Sequence, residues 1–129
     1  MNPEAAGTVY PPVAFVVDPE HVAAFRDVLG IASGVPPTYV TAAEFAALPN
    51  VLGDPRLGLD FTRVVHGSQE YEFRRPLREG ETLSVRARIE SIRHKGGSGF
   101  LTIAMDLVDA GDQIVCTARS QMLERGPGA

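Results

Sequence analysis

Apolar and polar positions alternate along four stretches in the second half of this chain, whereas the first half carries apolar residues at helical spacing. Over residues 68–74, Tyr71 and Phe73 alternate with Glu70, Glu72 and Arg74. Leu83, Val85, Ala87 and Ile89 then alternate with Thr82, Ser84, Arg86, Arg88 and Glu90. Leu101, Ile103, Met105 and Leu107 share one face of a third stretch, and Ile114, Cys116, Ala118 and Met122 share one face of a fourth. A period of two with one apolar face predicts half-buried antiparallel strands. The joints at Lys95-Gly96-Gly97-Ser98-Gly99 and Asp109-Ala110-Gly111-Asp112 read as hairpin turns; no helix follows the glycines, so they do not form a nucleotide loop.

Upstream, the apolar run Val13 to Val17 predicts an opening strand, which Asp18-Pro19-Glu20 ends with a cap residue, a first-turn proline and an early acid. A surface helix over residues 19–29 follows, with Val22, Phe25 and Leu29 as its buried stripe, Arg26 and Asp27 outward, and Gly30 as its stop. A second helix is expected over residues 36–48. Tyr39, Val40, Ala42, Ala43, Phe45, Ala46, Ala47 and Leu48 leave it apolar nearly all round, which predicts burial, and Pro49-Asn50 marks its end. Glu44 is the exception and is expected to face an open end or a partner. Residues 50–61 read as a loop. The sum is an α+β fold in which a long antiparallel sheet wraps around one central helix, whose alanines permit close approach.

The chain has 129 residues, enough for one domain, here 1–129 with a core of about 10–125. A net charge of −4 with interspersed signs argues against nucleic-acid binding, and no apolar window has the length of a membrane span or the flanks of a signal peptide. Cys116, the one cysteine, is expected to be buried and inert, and the protein to be cytoplasmic. No two histidines or acids have metal-ligand spacing, so no metal is expected.

The block from Asp60 to Leu83, DFTRVVHGSQEYEFRRPLREGETL, together with YPPVAFVV, VPPTYV and TARSQMLER, resembles the N-terminal-type MaoC-like domain of FAS1-type dehydratases. Within that group it is most similar to the non-catalytic subunit of actinobacterial (3R)-hydroxyacyl-ACP dehydratase, over about residues 10–125. The resemblance implies a hot-dog fold and assembly as a homodimer or as a heterodimer with a catalytic MaoC-type subunit. It also implies an acyl thioester, carried on CoA or acyl carrier protein, in a tunnel at the interface. No cofactor is implied. The tunnel walls are expected at Pro37, Thr38, Tyr39, Phe45, Tyr71 and Phe73, and a phosphate or carrier contact at Arg63, Arg74, Arg75 and Arg78.

Reversible hydration of a 2-enoyl thioester needs a base and a donor to the developing thioester oxyanion. Active members of the wider family supply these from an Asp-x-Asn-Pro-x-His stretch between the two helices. Here that interval reads Gly30-Ile31-Ala32-Ser33-Gly34-Val35, without Asp or His. Pro36 and Pro37 also remove two amides from the start of the buried helix, leaving those of Thr38 and Tyr39. His66, flanked by Val64, Val65 and Gly67, and Asp60 as its orienting partner are the remaining catalytic candidates. Three functions follow: an acyl-thioester-binding dehydratase subunit, a homodimeric binding or scaffolding protein without turnover, or a stand-alone hydratase or thioesterase using His66.

Overall fold

The computed structural model describes residues 1–127. Its elements run β1 (Val13–Val16), α1 (Pro19–Leu29), α2 (Val40–Leu52), β2 (Val64–Phe73), β3 (Thr82–Lys95), β4 (Ser98–Val108) and β5 (Ile114–Glu124). Short 3-10 turns cover Pro37–Tyr39 before α2 and Phe61–Arg63 before β2. The five strands form one antiparallel sheet in the order β1-β3-β4-β5-β2, so α+β holds, and one edge is the 10-residue strand β2.

Local chemistry accounts for most boundaries. The Asp18 carboxylate caps α1 by accepting from Glu20 N–H at 3.0 Å, and Gly30 closes it in the left-handed region at φ 70°. Gly96 and Gly97 have φ of 61° and 80°, the two positive values that a two-residue hairpin loop requires between β3 and β4. The Asp109 carboxylate accepts from Gly111 and Gln113 N–H, each at 3.0 Å, and shapes the turn from β4 to β5.

The apolar face of the sheet is where alternation places it. Leu83, Val85, Leu101 and Leu107 are completely buried, and α2 lies across them with Val40, Ala43, Ala47 and Val51 at 0–1% exposure. These four recur at spacings of three and four, the stripe of a helix packed on one side. The small side chains at Ala43 and Ala47 let the helix come close to the sheet. The helix is therefore one-sided: Phe45, expected in the core, is 64% exposed.

Several boundaries differ from expectation. Helix α2 runs past Pro49 to Leu52, because a proline in the last turn forfeits only the bond to the Phe45 carbonyl, while Gly53 N–H closes that turn on Pro49 O at 2.9 Å. Strand β2 begins at Val64, four residues early, with a bulge between His66 and Ser68. A register shift at Leu107/Val108 places Val115 in the core in place of Ile114. On α1, Leu29 is 49% exposed, and Arg26 folds inward to bond Gly34 O at 3.0 Å and Glu79 at 2.6 Å.

Candidate functional site

Glu44 organises the most chemically distinctive cluster. It sits on the inner face of α2, 4% exposed, and points at the sheet, where an open end or a partner was expected to receive it. Three strand residues receive it, since Gln69, Tyr71 and Ser120 share the core face of β2 and β5. Tyr71 Oη donates to Glu44 Oε1 at 2.5 Å, and Gln69 Nε2 donates to Oε2 at 3.1 Å, with Ser120 Oγ 3.2 Å from the same oxygen. Thr41, one turn before Glu44, is 2.7 Å from Tyr71 Oη. Burial raises the Glu44 carboxyl above the usual glutamate range, and the three donors offset only part of that. The Tyr71 phenol is pushed well up, by burial first and then by the neighbouring carboxyl. Cys116 nearby is buried and its thiol is pushed up to about 12, chiefly by burial, which leaves it inert near neutral pH.

This cluster forms the polar wall of a pocket of about 190 Å³ whose apolar lining includes Phe45, Leu48 and Met122. His66 also lines it. A second groove, of about 580 Å³, adjoins it across Phe45 and is bounded by Leu48, Pro49, Leu52 and Phe61. Phe61 and Val65, 67% and 43% exposed, carry the apolar surface on to the start of β2, the strand left unpaired on its outer side.

The expected wall residues divide. Phe45 and Tyr71 line the pocket beside Glu44, whereas Pro37 and Phe73 line a separate groove with Arg74 and Arg75. Tyr39 is buried on the α1 side, where its hydroxyl meets His21 Nδ1 at 2.9 Å and its ring packs edge-on against Phe25. It lines neither space. Thr38 is exposed, and the Tyr39 amide is spent on Pro36 O at 2.9 Å, so of the two amides expected at the helix start only that of Thr38 is left.

His66 is exposed, since β2 is an edge strand, and its Nε2 contacts Ser68 O at 3.1 Å on its own strand. Asp60 does not orient it. The Asp60 carboxylate accepts from Thr62 N–H, Thr62 Oγ1 and Arg63 Nε at 2.6–3.1 Å, bonds that hold it below the usual aspartate range.

Of the four expected phosphate-binding arginines, two are committed elsewhere. Arg75 pairs with Glu81 at 2.7 Å and Asp109 at 3.2 Å, and Arg63 pairs with Asp60 at 3.0 Å. Arg74 and Arg78 are exposed and make no ion pair among the described residues. Among these residues no group of three His, Cys, Asp or Glu is arranged to hold a metal ion, and no helix is long and apolar enough to cross a membrane.

Residues 11–118 match the model of the FAS1-like dehydratase domain region. The chain belongs to that family. One relative is UPF0336 protein SCO4636 of Streptomyces coelicolor, 32% identical over 143 residues, spanning 97% of this chain and 95% of the relative. A UPF0336 protein of Streptomyces avermitilis is 38% identical over 124 residues, spanning 95% of this chain and 79% of the relative. Among solved structures, the C-terminally truncated HadBC (3R-hydroxyacyl-ACP dehydratase) complex from Mycobacterium tuberculosis aligns with a TM-score of 0.76 at 19% identity, over 92% of this chain and 96% of that one. The ChsH1–ChsH2 complex from the same organism aligns with a TM-score of 0.68 at 14% identity, over 94% and 91%. The fold of this FAS1-like dehydratase domain is thus the hot-dog fold, with α2 as the helix and the five strands as its wrapping.

Proposed function

We propose that this chain is the acyl-thioester-binding subunit of a (3R)-hydroxyacyl-ACP or -CoA dehydratase whose catalytic Asp and His come from a partner chain. One observation carries the reading. A long unpaired edge, β2, runs beside an apolar groove between Phe45 and Phe61, while the interval between α1 and α2 contains no acid or histidine. The bulge at His66/Ser68 and the exposed Glu70 and Glu72 blunt the far part of this edge, so the part open to pairing is its apolar start at Val64 and Val65, next to Phe61. Pairing there sets the groove at the junction of two chains, where a partner's acid and base reach a thioester held by this one. The structural neighbours HadBC and ChsH1–ChsH2 are complexes of two components, which supports a heteromeric assembly.

In this division of labour the partner's groups move the C2 proton and the C3 water. This chain buries the acyl group against Phe45, Leu48 and Leu52, and Arg74 on the rim of the Pro37–Phe73 groove offers a cation to the carrier's phosphate. Co-expression with a MaoC-type chain bearing Asp-x-Asn-Pro-x-His, followed by sedimentation, tests the assembly. A 1:1 complex that Phe61→Asp dissociates at least tenfold more readily is expected; a wild-type chain that stays monomeric with and without the partner contradicts it.

A second reading, a stand-alone hydratase or thioesterase, draws on the placement of His66 and Glu44 around one pocket, with Glu44 taking the part expected of Asp60. It requires thioester turnover by the chain alone that His66→Ala abolishes while the fold survives.

A further inference from the structure

The sheet face opposite α2 ends in a patch of unpaired cations. Elsewhere on that face Arg86, Arg88 and Arg119 each hold a carboxylate, from Asp112, Asp106 and Glu90, at 2.8–3.3 Å. Arg93 and Lys95, at the end of β3, are exposed and make no ion pair among the described residues, although the chain as a whole carries −4. Alternation puts them there. Ile92, Leu101 and Met122 stand in one cross-strand row and pack toward the core, so Arg93 and Phe100 in the next row face the other way, with Lys95 two residues on. The same alternation turns Glu124 inward, where it is buried and accepts from Asp60 N–H at 2.7 Å.

Arg93, His94, Lys95 and Phe100 line a pocket of about 350 Å³, within the size range of small-molecule sites. The two-residue loop at Gly96 and Gly97 fixes Lys95 opposite Ser98, so the pocket stands on regular paired strand. Same-face neighbours on a strand are about 7 Å apart, which sets two like charges beside one aromatic ring. An anion between them replaces their repulsion with charge-assisted hydrogen bonds, and the guanidinium fork matches phosphate oxygens. The ring offers a stacking surface to a planar base. We infer that Arg93, Lys95 and Phe100 form a binding site for a nucleoside phosphate, with the phosphate held by the two cations and the base laid against the ring. This site is separate from the groove between Phe45 and Phe61 and does not rest on the reading of the chain as an acyl-thioester binder.

The test titrates the full chain, followed by NMR, with ADP, orthophosphate, coenzyme A and a triglutamate peptide. ADP is expected to bind roughly tenfold more tightly than orthophosphate, the worth of one stacked base. Phe100→Leu should erase that margin and leave orthophosphate binding unchanged. Arg93→Gln combined with Lys95→Gln should weaken both ligands by roughly tenfold or more, as loss of charge-assisted hydrogen bonds requires. Arg86→Gln, which removes a cation from the same face at the other end of β3, should weaken neither. Coenzyme A carries an adenosine phosphate as well: whether it or ADP binds more tightly tells an attached nucleotide from a free one, and either order supports the site. Absence of ADP binding, triglutamate binding as tightly as ADP, a margin over orthophosphate that survives in Phe100→Leu, or an equal loss in Arg86→Gln overturns the inference.

Discussion

Removing one oxygen, by Tyr71→Phe, tests the account of the buried carboxyl most sharply. The ring stays, with its packing against Phe73 at 6.2 Å between centroids, so the change isolates the hydroxyl. Two contacts go: the donation to Glu44 Oε1 and the acceptance from Thr41. The second is replaceable, because the pocket admits water to Thr41. The first is not, because Glu44 is only 4% exposed. Loss of a hydrogen bond to an ionised buried group costs about 1.5–3 kcal/mol, against about 0.5–1.5 kcal/mol for a neutral one. For a chain of 129 residues about 4 °C of melting temperature corresponds to each kcal/mol, giving a fall of roughly 6–12 °C while Glu44 is ionised and roughly 2–6 °C once it is protonated. Differential scanning calorimetry of both proteins at alkaline and acid pH reads the two regimes. The penalty should be larger at the alkaline end, and in a Glu44→Gln background it should be the smaller, neutral value at both. A shift below 2 °C throughout, or one that grows toward acid pH, refutes the reasoning.

Glu44 titration has its own signature. Because burial raises its folded-state pKa, the folded chain holds that proton more tightly than the unfolded one. Its contribution is present below the ordinary glutamate value and is lost as pH rises through the raised one. The melting temperature of wild type minus that of Glu44→Gln should therefore fall with rising pH, and a constant difference in calorimetric scans contradicts a buried ionisable carboxyl. Ala47→Leu adds three heavy atoms against the sheet at a position 1% exposed, and should cost about 1–3 kcal/mol by overpacking, read as a lower denaturation midpoint in urea; a neutral result contradicts the close approach of α2.

Local signals made most of the fold legible. The alternation of Leu83 to Ile89 and of Leu101 to Leu107 reports directly which face is buried, and Asp18-Pro19 and Gly96-Gly97 constrain backbone geometry within a few residues. The site was less legible because its contacts are distant in sequence. Glu44 reads as a misplaced charge on an apolar helix, since its partners stand 25, 27 and 76 residues away, and only the pairing of β2 with β5 brings Gln69, Tyr71 and Ser120 to one spot. A signal was available: Gln69 and Ser120 occupy inward positions of strands where alternation calls for apolar residues, and a buried acid needs such partners. His66 stands exposed beside Val64 and Val65, because apolar neighbours on an edge strand do not imply burial. Arg63 and Arg75 read as a basic cluster until the turns brought Asp60, Glu81 and Asp109 to them.

Hydration of a crotonyl thioester, measured with the purified chain alone and again with a candidate MaoC-type partner, decides whether this chain is a subunit that depends on another for its chemistry. No turnover is expected from the chain alone, and turnover in the complex should vanish when the partner's Asp and His are replaced. Turnover by the chain alone at a rate comparable to that of the complex would contradict it and place the chemistry at His66 and Glu44.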